Sequence, residues 1–338
     1  MSFPPFGPPT TPRRSRRPGL FLGVALGLSA WALNTQATEP AQDRGAKKGK
    51  QSMQAETPAL TWSRLQFSAA KMFAKGEAEI LVSEIGRAEA NLITAPGRKA
   101  IERRGSLLHF ELHSEFSGRR STIDLWLDDE AKALQRRKRR YGRKAYEKTW
   151  RFTDEGIYSL RLSPLHSEEA RRSSEHWGQI EDFFYPVPQD AGCRRTTTPS
   201  ALFYLASSKS LESGDRIEFC AMSRKTLSRV QLKVEDREQV AVAYRSTGAS
   251  KPVAGTVEAL RMVVTADPAA PGGEREFEFL GLEDDIEIFV EVENRLPIEV
   301  RGRLPILGKV EVKLRSVDWR DGAGVSKISA PAPSRPQP

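Results

Sequence analysis

The sequence predicts a mainly β protein: a strongly curved antiparallel sheet or an incomplete β-barrel, with one helix at an opening. Apolar residues recur at every second position in about ten segments, which places them on one face of a strand. Turn-forming residues separate the segments, as in Asp154-Glu155-Gly156 and Pro271-Gly272-Gly273. Strands with one polar face are typical of antiparallel sheets, and a large sheet must curl or close to hide its edges.

The alternation defines the strands in chain order, and a change of period marks the helix. The clearest strand segments are residues 108–112, 123–127, 146–152, 230–234, 240–244, 260–264, 286–292 and 310–314. Apolar residues at spacings of three and four predict a helix over residues 166–184, closed by Pro186 and Pro188.

The N-terminus has the pattern of a secretory signal peptide over residues 1–37. Four arginines precede a 14-residue apolar run at 20–33, which is too short to span a bilayer. Thr35 and Ala37 supply the small residues of a cleavage site, so we expect export to the periplasm; an uncleaved anchor is the alternative. Gly19 stands where a twin-arginine signal has phenylalanine, which favours the general secretory route.

The remaining chain divides by composition. Residues 38–58 are polar and predict a flexible linker, 59–319 predict a single antiparallel β domain, and 320–338 predict a disordered proline-rich tail. No stretch of 18 apolar residues occurs, so no transmembrane span is expected in the mature chain.

Positive charge is concentrated in one window. The chain has 53 basic and 44 acidic residues, and the signal peptide removes four arginines and no acid. Residues 132–151 hold ten basic residues and one acid, Glu147, a net charge of +9. The rest of the mature chain is therefore slightly acidic. A local field of this kind points to a binding surface rather than to a fold.

Seven residues of this window are the candidate anion-binding site: Arg136, Arg137, Lys138, Arg139, Arg140, Arg143 and Lys144. The planar guanidinium group of arginine can donate two parallel hydrogen bonds to phosphate oxygens. In a bacterial envelope, this makes anionic lipid or lipopolysaccharide the candidate ligand. The alternative is a charged edge strand that prevents aggregation between sheets. Nucleic acid is not an expected partner of a secreted protein.

The sequence offers little evidence of a catalytic or a metal-binding site. The chain has no nucleophile elbow, phosphate-binding loop, dinucleotide-binding glycine motif or zinc-protease motif, and we expect no cofactor. His109-x-Glu111-x-His113 has the residue types of a metal site. On a strand, however, its histidines would be about 13 Å apart at ~3.3 Å per residue, so no metal is expected.

Cys193 and Cys220 are the only cysteines of the chain. In an oxidising compartment, this pair predicts a structural disulfide, with two free buried thiols as the alternative. Closure of a loop of about 28 residues would stabilise the fold by ~3 kcal/mol on the chain-entropy model.

Several motifs resemble a known family when they are taken in order. They are the hairpin at 146–158, Thr198-Pro199-Ser200 followed by Ser213-Gly214-Asp215, and Arg295-Leu296-Pro297 followed by Gly308-Lys309-Val310. In this order they are similar to a domain-of-unknown-function family of Gram-negative periplasmic envelope proteins, broadly similar to lipoprotein carriers. The resemblance implies a β-barrel-like periplasmic domain and supplies no catalytic residues. The family usually has aspartate where this chain has Thr198.

These observations predict a non-enzymatic periplasmic envelope protein that binds an apolar or lipid-like ligand, an anionic envelope component, or both. Aliphatic chains would lie against the curved sheet and head-group charge against residues 136–140. One alternative is a protein-binding assembly or scaffold factor of the envelope. A less favoured alternative is an enzyme that acts on envelope polymers.

Overall fold

The computed structural model describes residues 60–71, 74–101, 106–187, 192–193, 195–208, 210–270 and 272–320. Within these ranges, fifteen strands form one large curved sheet. The pairing is antiparallel throughout, apart from two short parallel contacts, so the predicted fold class is confirmed. The predicted signal peptide, the linker and all but the first residue of the predicted tail lie outside the described residues.

The described strands have the following bounds: β1 (Trp62–Lys71), β2 (Ala74–Ile85), β3 (Leu107–Phe116), β4 (Arg119–Leu127), β5 (Ala133–Arg140), β6 (Tyr146–Phe152), β7 (Gly156–Ser163), β8 (Gln179–Pro186), β9 (Thr196–Thr197), β10 (Arg216–Ser223), β11 (Thr226–Ser246), β12 (Val253–Pro268), β13 (Asp284–Glu291), β14 (Pro297–Leu304) and β15 (Gly308–Trp319). The helix α1 spans Leu202–Ser207 and follows a 3₁₀ turn at Pro199–Ala201.

The sheet consists of two meanders that meet where β1 pairs with β15. Strands β1 to β8 follow one another on one side of this junction, and β15 back to β9 follow on the other. The end of the long strand β11 also pairs with β15, at Arg245 and Ser316, so that β11 to β15 wrap into a partial ring. This curvature gives the sheet a concave inner face.

Helix α1 packs within the hydrophobic core of the curved sheet. All six of its residues are buried. The ring of Phe203 lies 5.6 Å from that of Phe67 on β1 and 5.0 Å from that of Phe279, while Tyr204 packs edge-on against Phe110 on β3. Among the described residues, no helix is long and apolar enough to cross a membrane.

The helix predicted over residues 166–184 was wrong. This region forms 3₁₀ turns at Glu169–Arg171 and Ser174–His176 and then strand β8, which pairs with β7. Gly178 is a poor helix former, and the aromatic residues that follow it favour a strand. Pairing with β7 therefore determines the structure of this region. The helix α1 lies elsewhere, after the 3₁₀ turn at Pro199–Ala201, where proline suits a first turn.

The predicted disulfide is confirmed. Cys193 and Cys220 are bonded, with their Cα atoms 5.4 Å apart. Thr196, three residues after Cys193, pairs with Cys220 on β10. The disulfide therefore attaches the segment that leads into α1 to the sheet.

Candidate ligand-binding site

The basic run of residues 136–140 lies on β5, in the interior of the sheet. β5 pairs with β4 on one side and with β6 on the other. The interpretation of this run as a charged edge strand was therefore wrong, because the described sheet has its edges at β8 and β9. Sequence alternation could not reveal this, since edge strands and central strands share the same period.

Alternation along β5 divides the predicted site between two faces of the sheet. Arg136, Lys138 and Arg140 line a cavity on the inner face. Arg137 and Arg139 lie on the outer face, where each meets a carboxylate. The two remaining predicted residues, Arg143 and Lys144, are exposed in the turn between β5 and β6.

Cations on the outer face are neutralised. The Nε atom of Arg137 is 3.1 Å from Oδ2 of Asp124, and Nε of Arg139 is 2.8 Å from Oε2 of Glu147. Burial opposes ionisation of Asp124, but the neighbouring His109 and the charge of Arg137 hold its pKa below the ordinary value. This face is a set of paired charges.

A cavity of about 520 Å³ borders the inner face, a size typical of small-molecule sites. The turn between β10 and β11 and residues 278–282 also line it. Its apolar wall includes Ala69, Ala78, Leu112, Ile123, Phe279, Leu282, Val310 and Val312. Because α1 contacts β3 at Phe110, the cavity extends along β3 beyond the helix, from Leu112 towards Phe116.

The other wall is strongly cationic. Among the described residues that line the cavity, nine are basic and three are acidic, a net charge of +6. The basic ones are Arg119, Arg120, Arg136, Lys138, Arg140, Lys148, Arg161, Arg224 and Lys225. Two of the acids are already engaged, since Glu115 pairs with Arg120 at 3.2 Å and Glu278 pairs with Arg224 at 3.0 Å.

Arg136 is the most buried cation of this wall, with only 9% of its surface exposed. Its guanidinium lies 4.7 Å from the ring centre of Trp150, and its Nε has no hydrogen-bond partner in the described part of the chain. Burial lowers its pKa to about 10, so it stays charged at neutral pH. The charge of Glu278 offsets part of this burial, but Glu278 is itself paired with Arg224, and a buried cation with an unpaired donor is unfavourable.

Lys148 on β6 extends this cluster. It lies directly opposite Lys138 on β5, and its Nζ is 4.6 Å from the ring centre of Trp150. Burial, followed by the charges of Arg161 and Lys225, lowers the pKa of Lys148 to about 8. Burial also lowers the pKa of Lys138.

The rest of the basic window has structural roles. Arg151 is buried and donates hydrogen bonds to the carbonyl oxygens of Leu134 at 2.6 Å and Ile101 at 3.0 Å. Lys132 pairs with Glu130 at 2.7 Å. The net charge of the window therefore overstates the positive charge that is available to bind a ligand.

Six basic residues of the cavity were not among the predicted site residues: Arg119, Arg120, Lys148, Arg161, Arg224 and Lys225. Lys148 lies in the basic window, and the short β6–β7 hairpin places Arg161 directly opposite it, so this pair was within reach of strand-register arguments. Arg224 and Lys225 come from a turn about 80 residues away in sequence, and only the tertiary fold brings them to the cavity.

The histidine motif belongs to the outer face of β3. His109 stacks on Trp126 with ring centres 4.8 Å apart, and its Nε2 lies 3.3 Å from Oδ1 of Asp124. Nε2 of His113 lies 3.4 Å from Oε2 of Glu111, and Nδ1 of His109 lies 3.7 Å from Oε1 of the same carboxylate. Within the described ranges, no group of three or more histidine, cysteine or acidic side chains is arranged to hold a metal ion.

Comparisons of the chain with protein-family models, with curated proteins and with solved structures gave no match.

Proposed function

We propose that this is a non-enzymatic periplasmic envelope protein that binds an anionic amphiphile, such as a lipid with a phosphate-bearing head group, on the concave face of its sheet. The observation that carries the proposal is a cavity with an apolar wall and a cationic wall, in which the buried Arg136 lacks a hydrogen-bond partner at Nε among the described residues. Anionic lipid and lipopolysaccharide share this chemistry.

Both walls contribute to the expected affinity. Each methylene group that is buried against Leu112, Phe279 or Val312 contributes about 0.8 kcal/mol. Hydrogen bonds to charged groups contribute about 1.5–3 kcal/mol each, and they count for more where water is excluded. An apolar chain alone would leave the cations unpaired, and a small anion alone would leave the apolar wall uncovered.

The proposed location rests on the sequence of residues 1–37 and on the disulfide. The N-terminal pattern predicts export. The bond between Cys193 and Cys220 suits an oxidising compartment such as the periplasm.

Calorimetric titration with three probes tests the proposal. Decyl phosphate, used below its micellar concentration, combines both properties, decyl maltoside supplies the chain without charge, and inorganic phosphate supplies the charge without the chain. We expect decyl phosphate to bind at least about 30-fold more tightly than either of the others, a difference of ~2 kcal/mol. Equal affinity for decyl phosphate and decyl maltoside would contradict the proposal.

A pair of variants locates the binding site. Ala78→Phe places a ring in the cavity, whereas Ala88→Phe adds the same ring at an exposed position outside the lining. We expect only Ala78→Phe to weaken decyl phosphate binding. Equal effects of the two variants would place binding elsewhere.

A second candidate function, a protein-binding assembly factor, is favoured by the edge strand β8. Ile180 and Phe183 are 66% and 59% exposed, and within the described sheet β8 pairs only with β7. Such an edge can accept a strand from a partner. Site-specific crosslinks from Phe183 to a defined envelope protein, lost in Ile180→Ser, together with absent decyl phosphate binding, would favour this function over the first.

A further inference from the structure

Three cations lie in one row across the inner face of β5, β6 and β7. Lys138 is directly opposite Lys148, and Lys148 is directly opposite Arg161. Adjacent strands are only about 4.8 Å apart, and like charges in opposite positions are unfavourable. The nearest acid in this row is Glu181 on β8, which lies 3.9 Å from Arg161 at the far end.

A second row reinforces the first. Arg136 and Trp150 are opposite one another one step further along the strands, and the side chains of Arg136 and Lys148 both lie over the Trp150 ring. The Nε atom of Arg136 is buried and lacks a hydrogen-bond partner among the described residues. The charge of Glu278 acts on Arg136 and Lys138, but this acid also pairs with Arg224 at 3.0 Å, so a single negative charge on a ligand would leave part of the cluster uncompensated.

We propose that this cluster binds a head group with two negative charges, of the phosphate monoester class, and that Lys148 discriminates a dianion from a monoanion. This inference rests on the proposed function, because it names the head group of the same ligand. A phosphate monoester carries about −1.5 to −2 charges at pH 7 and three acceptor oxygens. It can accept hydrogen bonds from Lys138, Lys148 and the fork of Arg161 together.

Lys148 is the cation of the cluster whose charge changes most easily with pH, because its ammonium group is the most readily deprotonated. The cations that face it are Lys138, Arg136 and Arg140 on β5, Arg161 on β7, and Arg224 and Lys225 from the β10–β11 turn. The other titratable groups are Tyr146 on its own strand, Glu181 and Tyr185 on β8, and Glu278. With a pKa of about 8, Lys148 loses its proton in the free protein just above neutral pH.

The first test compares decyl phosphate with decyl sulfate, which has the same chain and one negative charge. At pH 7.5 we expect the wild type to bind the phosphate about tenfold more tightly. Lys148→Met should remove most of this preference, and Lys148→Arg, which keeps the charge, should retain it. Equal affinity of the wild type for the two probes would overturn the inference, whereas failure of both to bind would overturn the proposed function itself.

The second test follows pH with decyl phosphate above pH 7.5, where it stays a dianion because its second pKa is about 6. Above pH 8 the free protein must take up a proton on Lys148 to bind the dianion, so wild-type affinity should fall about five- to tenfold between pH 7.5 and 9, whereas the affinity for decyl sulfate should change little. Lys148→Met and Lys148→Arg should show no such fall, and a fall in all three would contradict the role of Lys148. Inorganic phosphate that bound as tightly as decyl phosphate would identify the ligand as free phosphate rather than a lipid.

Discussion

The two faces of β5 carry similar numbers of cations in opposite electrostatic settings. On the outer face, Arg137 and Arg139 each meet a carboxylate within 3.1 Å. On the inner face, Lys138 lies opposite another lysine and Arg136 lies over an aromatic ring. Opposite charges in facing positions of neighbouring strands stabilise a sheet. The inner face departs from this rule where it borders the cavity, and the proposed ligand-binding function would account for this departure.

The first prediction concerns stability without ligand and has the largest expected effect. Replacing Lys138 and Lys148 together by methionine should raise the free energy of unfolding by about 2 kcal/mol, because it removes opposed, partly buried like charges. The matched outer variant, Arg137→Met with Arg139→Met, should lower it by about 1 kcal/mol, since Asp124 and Glu147 lose their partners. Urea denaturation measures both, and a change of the same sign on the two faces would contradict the comparison.

The second prediction uses pH to isolate Lys148. Its pKa is lowered to about 8 in the folded protein, so the unfolded chain binds more protons between pH 8 and the ordinary lysine value of 10.5. The free energy of unfolding should therefore gain a contribution that grows over this range. Because solvent screens the partly exposed side chain, we expect a gain of about 1 kcal/mol. Lys148→Met should lack it, and identical pH profiles would show that Lys148 is not perturbed.

The third prediction concerns salt and has the smallest expected effect. Raising sodium chloride from 0.05 to 0.5 M shortens the Debye length and weakens repulsion on the inner face. The stability advantage of the inner methionine variant over the wild type should then shrink by about 0.5 kcal/mol. An advantage that stayed constant would indicate that burial, rather than repulsion between the cations, causes it.

The sequence predicts the fold class well, because alternation with a period of two survives in almost every strand. It also implies that Arg136, Lys138 and Arg140 share a face. It could not show which face is inside, since basic residues occupy both and the partner Asp124 comes from another strand. The helix predicted over 166–184 failed because pairing with β7 outweighs a weak helical spacing. Lys225 reaches the cavity only through tertiary folding.

The most direct measurement compares two double variants that remove the same number of charges from β5. Lys138→Gln with Arg140→Gln changes the inner face, and Arg137→Gln with Arg139→Gln changes the outer face. In calorimetric titrations with decyl phosphate, the inner variant should lose at least about 30-fold in affinity and the outer variant less than about threefold, as about 1 kcal/mol or more per lost contact implies. Equal losses in the two variants would contradict the claim that the inner face of β5 binds the ligand.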